Sequence, residues 1–449
     1  MTDASGGTTM DEPAATITAQ ERHLSMDVIR GAALFGILLM NIIGFGYHLS
    51  PSEFVGLEPW AGANFWAWYI PETFFEGTQR GLFSVLFGAG VIILTSRLEK
   101  RDVGLSAADV YYRRNIWLIG WGMINSYILL WDGDILYYYG LAALFLFPLR
   151  NMKPKQLVMI GLTCMAIMSA QGIYDRAAEL ESFGEYRAAI AARDAGEELD
   201  EEQEGAIEGW EENIADYYAD EEEIQERLDA HRDGYATTFM HHVPSLTNLH
   251  GNLAYRFIVL DAIAFMTLGM ALFKWGVLTL RAPARVYWLL LLVGYSVGIP
   301  LRMYTSTHLV ASDFDIMSFA DNGLTYDIRR LFMTTGHLGL LLLFVRSGIL
   351  SWLQRSLAAV GRMALTNYMM HSLICLIIFL RPGFGLFGAF ERYELFYIVA
   401  AICVFQLIMS PIWLRYFRFG PLEWAWRSLT YLERPALRRQ PGQAEPVPA

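Results

Sequence analysis

Long apolar blocks recur along most of this chain, separated by short polar joints. A helix rises 1.5 Å per residue, so about 18 or more apolar residues are needed to cross ~30 Å of hydrocarbon, and several blocks reach that length. They do not alternate with period two, as barrel strands would, and in lipid only helices or closed barrels satisfy their own backbone. The pattern therefore predicts an all-α polytopic membrane helix bundle. About ten transmembrane helices are expected: Met26–Gly46, Gly81–Ser96, Arg114–Leu130, Asp134–Leu149, Lys155–Ile173, Asn252–Phe273, Val286–Tyr304, Leu331–Val345, Arg362–Phe379 and Leu395–Phe417. The aromatic stretch Trp60–Phe75 is expected to be interfacial or partly re-entrant, because Pro71, Glu72 and Glu76 interrupt it. Residues 348–360 read as a short amphipathic connector.

This organises the chain into a tail (1–22), spans one to five (23–174), an acidic helical insert (175–245), spans six to ten (246–430) and a second tail (431–449). The first tail is rich in Thr, Ala and Gly and has no Lys or Arg before Arg22, so it reads as a disordered cytoplasmic segment rather than a cleaved leader.

Charge then orients the bundle. Arg97, Lys100, Arg101, Arg113 and Arg114 fall between spans two and three, and similar basic clusters recur at every second joint and after the last span. The alternate short connections 47–79, 131–133 and 305–328 contain no Lys or Arg. By the positive-inside rule the basic set is cytoplasmic, which puts both termini in the cytoplasm of a bacterial inner-membrane protein. The net charge of −12 comes from one place: Asp175 to Asp233 holds 22 acidic residues against five arginines. That insert is then extracytoplasmic, in two or three amphipathic helices, and on its own it reads as a solvated charged cap. Cys164, Cys375 and Cys403 each lie in an apolar block, with no disulfide, CxxC or metal spacing.

Polar groups within the spans are costly, so each needs a reason. Asp27 and Arg30 are three apart on one helical face, consistent with an ion pair at the helix entrance. Asn41 and His48 follow towards the other end. They are either local interfacial partners, or an oxyanion donor and general base sharing one cavity. Asp134, in the WDGD turn, is expected to cap the fourth span, and Trp131 with Tyr137–Tyr139 to form an aromatic belt. Arg80, Arg256, Arg302, Arg329, Arg330 and Arg381 lie near outer helix ends. Snorkelling, or pairing with Asp261, Asp315 and Asp327, accounts for some of them; together they are also suited to hold a phosphate or carboxylate. His337, Asn367 and His371 read as inter-helix hydrogen-bonding groups. No nucleotide, dinucleotide, zinc-protease or serine-hydrolase motif is present.

The blocks MDVIRGAALFGILLMNI (26–42), GLFSVLFGAGV (81–91), ILLWDGDILYYYG (128–140), GRMALTNYMMHSLI (361–374) and WLRYFRFGPLEWAWRSLT (413–430) resemble, in order, those of the YeiB family (domain-of-unknown-function family 418). The first block is also similar to that of a wider superfamily of transmembrane acyltransferases, which includes the lysosomal heparan-α-glucosaminide N-acetyltransferase. Their (L)DxxRG start matches Asp27, Arg30 and Gly31, with Met26 in place of Leu. Their catalytic Asn matches Asn41, and His48 is the nearby candidate for their catalytic His, at a shorter spacing.

The resemblance implies acyl transfer, with acyl-CoA as co-substrate, to a lipid or glycan acceptor at or beyond the outer leaflet. His48 and Asn41 would be catalytic. Asp27, Arg30, Trp131, Asp134 and Asn367 would support them, and Arg80, Arg256, Arg302, Arg329 and Arg330 would hold an anionic group. The expected partners are membrane lipids, homo-oligomerisation stays open, and nothing suggests nucleic acid or a metal. The rival expectation is a transporter, flippase or binder of a lipid or small anion.

Overall fold

The computed structural model describes residues 19–47, 59–100, 106–218, 221–251 and 258–439. The outer parts of both tails (1–18 and 440–449), His48 and Arg256 lie outside the described residues. Among the described residues the chain is all-α, with one isolated extended bridge between Phe417 and Arg438. In chain order the helices are α1 (Ala19–Gly46), α2 (Gly62–Phe74), α3 (Thr78–Lys100), α4 (Ser106–Met123), α5 (Leu136–Leu144) and α6 (Pro154–Asp194). They continue with α7 (Glu201–Tyr217), α8 (Glu221–Asp233), α9 (Tyr235–Asn248), α10 (Val259–Lys274), α11 (Ala284–Ala311) and α12 (Ile316–Leu324). The last are α13 (Tyr326–Ser347), α14 (Ser351–Arg362), α15 (Ala364–Phe379), α16 (Arg392–Tyr416) and α17 (Pro421–Tyr431). A π-helical turn, Ile124–Ile128, extends α4.

Six described stretches are long and apolar enough to cross a bilayer: Leu24–Gly46, Gly62–Glu99, Pro154–Asp194, Ala284–Ala311, Tyr326–Ser347 and Arg392–Tyr416. The pair α14 and α15, bent by 81° at Met363, makes a seventh if its halves form one crossing. Of the other expected runs, Arg114–Leu130 falls in α4 and its π-helical turn, α5 is short at nine residues, and the described part of Asn252–Phe273 lies in α10. The stretch expected to be interfacial or partly re-entrant forms α2, with Pro71 inside it, and it leads through a turn at Phe75–Gly77 into α3. Glu76 lies in that turn, and both Glu72 and Glu76 are paired with Arg302.

α1 lies in the middle of the bundle, with Val28, Ile29, Ala33, Leu34, Leu38 and Ile42 fully buried. The outer helices α6, α11 and α16 turn Met159, Leu162, Leu289, Leu292, Ile408 and Ile412 outwards. Such an apolar exterior belongs against lipid, where burial from water no longer holds helices together and close backbone contact has to. Two crossings show this. A side chain on Gly31 or Gly361 would strike the facing backbone where α1 meets α14, and Gly88 and Gly269 serve the same purpose between α3 and α10. Arg30 secures the first crossing, donating to Asp27 Oδ1 at 2.7 Å and to the Gly361 carbonyl at 3.3 Å.

In the acidic stretch, α6 runs on without a break through the boundary expected near 175. Asp200 caps α7 by accepting from Gln203 N at 2.8 Å. α7 packs back on α6 through Trp210, buried against Phe183 with ring centroids 5.0 Å apart. α8 and α9 dock on one end of the bundle. Tyr235 donates to the Ile128 carbonyl at 2.9 Å, and His231 stacks on Phe387 at 3.8 Å.

Candidate functional site

Glu72, Glu76 and Arg80 are spaced four apart, which places them on one side of the α2–α3 run. There they meet α10, α11 and α13. Arg302 of α11 donates to Glu72 Oε1 at 3.2 Å, to the Glu76 carbonyl at 2.6 Å and to the Glu76 carboxylate. Asp261 of α10 is shared by Arg330 and by Arg80, the latter at 3.4 Å. Tyr326 donates to Glu76 Oε1 at 3.1 Å and accepts from Arg80 at 3.2 Å. Arg329 donates to Thr305 Oγ1 at 2.7 Å, to the Asn322 carbonyl at 2.9 Å and to the Asn322 side chain.

Four guanidinium groups thus meet three carboxylates. Arg302, Arg329 and Arg330 are at most 2% exposed. Arg330 Nε and Nη1 and Arg329 Nε are buried without an acceptor among the described residues. Buried charged donors are nearly always satisfied, so this cluster has bonding capacity left over for an anion or for water.

Four of the six expected arginines therefore converge. Arg381 is exposed elsewhere, and Arg256 is not described. Of the expected partners, Asp261 pairs as anticipated. Asp315 instead caps α12 through Met317 N and Ser318 N, and Asp327 accepts from Ser169 at 3.2 Å. Glu72, Glu76 and Tyr326 were missed as partners. The spacing of four between Glu72, Glu76 and Arg80 was the available signal.

The second part of the site lies at the far end of α1. Leu34, Ile37, Asn41 and Phe45 make one stripe. Leu34, Ile37 and Phe45 pack in the cluster that contains Trp131, Leu136 and Tyr139, with Phe45 stacked on Trp131 at 3.8 Å. Asn41 is half-buried in that stripe and makes no hydrogen bond among the described residues. Asp134 is 1% exposed; it caps α5 by accepting from Tyr137 N at 2.8 Å, and it accepts from Asn125 Nδ2 at 2.9 Å. The two parts adjoin. Tyr139 donates to the Arg80 carbonyl at 2.9 Å, and Gln79 lies against Gly36 of α1.

Asp27 and Arg30 sit at the opposite end of α1, as a paired helix entrance. Asn367 has a structural role, donating to the Val360 carbonyl and to Ser410 Oγ, both at 3.1 Å. Gln406 closes that network by donating to the Asn367 carbonyl and meeting His371, both at 3.0 Å. His337 bonds to the Met333 carbonyl of its own helix at 3.0 Å and also meets the Phe74 backbone of α2, a contact across helices as expected.

Comparison with known proteins agrees with these motifs. The model of the family described as "Protein of unknown function (DUF418)" matches residues 272–433. The uncharacterized protein YxaH of Bacillus subtilis (strain 168) is 30% identical over 430 residues, which is 92% of this chain and 95% of the relative. This chain belongs to the YeiB/DUF418 family. The uncharacterized protein YeiB of Escherichia coli (strain K12) is 28% identical, covering 91% of this chain and 96% of its own length. A 39.9 kDa protein of Bacillus acidopullulyticus is 44% identical over 93 residues, 21% of this chain and 26% of its own length. No solved structure matches the chain.

Proposed function

We propose that this family member is a ten-span acyltransferase of the bacterial inner membrane, with both termini in the cytoplasm and residues 175–245 outside. It would take an acyl group from cytoplasmic acyl-CoA and pass it to an acceptor carrying an anionic group, at the outer leaflet or in the periplasm. The observation that carries this reading is the meeting of the Asn41 stripe of α1 with a buried arginine cluster that has unspent donors. The cluster would fix the acceptor's anion by charge-assisted bonds. Asn41 would donate to the oxygen of the acyl carbonyl as negative charge develops on it. Asp27 and Arg30 would organise the donor's entrance, from which Asn41 lies about 15 Å along the helix beyond Gly31, at 1.5 Å per residue.

The test uses full-length protein in lipid nanodiscs, with acetyl-CoA labelled in the acetyl group and an extract of the native envelope as acceptor. Transfer of label with release of the CoA thiol is expected. Asn41→Ala should lower the rate by ~10²–10³, the usual cost of one oxyanion donor. Absence of any thiol release by the wild type would refute the reading.

The unspent arginine donors favour a second reading, a transporter, flippase or binder of an anionic lipid or small anion. It predicts anion movement across proteoliposomes with no covalent change and no need for acyl-CoA.

A further inference from the structure

The WDGD turn carries more irregularities than a capped hairpin needs. The backbone before it forms the π-helical turn Ile124–Ile128, and such turns inside helices gather at functional sites. Leu130 follows in the left-handed region, at φ 55°, which a branched aliphatic residue adopts only when its surroundings impose it. Asp134 is buried, and its partners are the Asn125 amide, backbone N–H groups and the Tyr368 hydroxyl; it makes no ion pair among the described residues. In the π-helical turn Asn125 Oδ1 and Ser126 Oγ, and on α5 the Tyr138 hydroxyl, are buried without a partner among the described residues. These three side chains are at most 3% exposed.

A turn whose only task was to cap α5 would need the Asp134–Tyr137 bond and nothing further. Unsatisfied buried polar groups each cost about 1–3 kcal/mol, so a cluster of them beside a carboxyl with no cationic partner points to a polar visitor. The visitor must offer at least one donor: Asp134 accepts as the carboxylate, Asn125 Oδ1 only accepts, and the hydroxyls of Ser126 and Tyr138 do either. A hydroxyl or amine meets that need, and a bare anion does not.

We infer that Asp134 is the proton acceptor of the acyl transfer, with Asn125, Ser126 and Tyr138 holding the acceptor's hydroxyl or amine against it. The inference rests on the acyl-transfer reading and deepens it. The Asp134 carboxylate takes the proton from the acceptor O–H or N–H as that atom bonds to the thioester carbonyl carbon. The carbonyl oxygen receives the displaced electron pair beside Asn41. When the tetrahedral intermediate collapses, the C–S bond breaks, and the departing CoA thiolate recovers the proton from the Asp134 carboxyl. No electron is gained or lost overall.

The experiment measures release of the CoA thiol from acetyl-CoA by full-length protein in nanodiscs, with native envelope extract as acceptor, alongside acetyl-CoA binding and thermal unfolding. Asp134→Asn should lower kcat by at least ~100-fold, within the usual range for removing a general base, while acetyl-CoA binding is retained. Tyr138→Phe covers the case in which Asp134→Asn does not fold. Its hydroxyl has no partner among the described residues, so melting should be unchanged while KM for the acceptor rises several-fold. Full activity in a folded Asp134→Asn protein, or an unchanged acceptor KM in Tyr138→Phe, overturns the inference and leaves acyl transfer standing. Loss of activity in His48→Ala with Asp134→Asn active assigns the proton to His48 and also overturns it. A wild type that releases no thiol removes the acyl-transfer reading itself, and this inference falls with it.

Discussion

Arg330 of α13 and Asp261 of α10 form an ion pair in which the side chains are 1% and 6% exposed. A pair this buried contributes little beyond an apolar replacement, because removing both charges from water costs about what their attraction returns. Losing one partner is different. Asp261→Ala leaves Arg330 buried beside Phe265, whose ring centroid is 4.5 Å away, with its carboxylate partner gone. A loss of about 3–5 kcal/mol is expected, read as a lower unfolding temperature in detergent. The double variant Asp261→Ala with Arg330→Met should recover much of that loss. If the single variant melts like the wild type, the pair is not a buried structural contact.

The crossing of α1 and α14 predicts a second, purely steric effect. Gly31 faces the Leu357 carbonyl, and Gly361 faces the Asp27 carbonyl, with no room for a Cβ. Gly31→Ala or Gly361→Ala should therefore cost about 1–3 kcal/mol through overpacking. Gly205→Ala is the control, since its Cβ would meet nothing within 4 Å. It should be neutral or slightly stabilising, because alanine is the better helix former. Equal melting temperatures for all three variants would show that the helices do not approach this closely.

Acid should loosen the α8–α9 hairpin, which lies outside the membrane-spanning helices. Burial, with Arg227 and neighbouring histidines adding to it, pushes His231 and His242 down to about 4. In the unfolded chain the same groups titrate near 6.5. Between those values the open form binds protons that the docked form refuses. The docked form is thus fully stable above about pH 6.5, and it loses stability progressively as pH falls to about 4. Hydrogen exchange of α8 and α9 should accelerate from pH 7 to 4.5 beyond the intrinsic trend. In His231→Phe, which keeps a ring against Phe387, that pH dependence should shrink. Protection that does not change with pH in the wild type would rule the mechanism out.

These residues also show what was legible in the sequence. Charge and spacing alone predicted the Asp27–Arg30 pair and Asp134 as a cap, which local geometry delivers, and Asp261 as an arginine partner, which packing between helices delivers. Glu72 and Glu76 were missed as arginine partners because Arg302 is more than 200 residues away, and no local pattern announces a contact of that kind. Asp315 was expected to seek an arginine, but the start of α12 satisfied it first with three nearby donors. The expected span near α5 came out short, at nine residues, for a related reason. Apolarity along the sequence reports burial, and a helix can be buried by its neighbours without crossing the membrane unaided.

The orientation proposed from the loop charges can be decided directly. If the basic joints are cytoplasmic, Ala108, at the start of α4 beside Arg113 and Arg114, faces the cytoplasm, and Gly205 on α7 faces outside. Both positions tolerate a thiol: Gly205 is exposed with open space around it, and Ala108 is partly exposed. The native Cys164 and Cys375 are buried, and Cys403 is partly so. A background with all three replaced by Ala removes their contribution to labelling. Intact cells carrying Gly205→Cys should then react with a membrane-impermeant maleimide, while Ala108→Cys should react only after the cells are opened. The reverse pattern would place the acidic helices in the cytoplasm. It would also put the Asn41 end of α1 on the side where acyl-CoA is made, so no acyl group would have to cross the membrane. Labelling of both sites in intact cells would mean that α1 to α6 do not cross the bilayer in the proposed order.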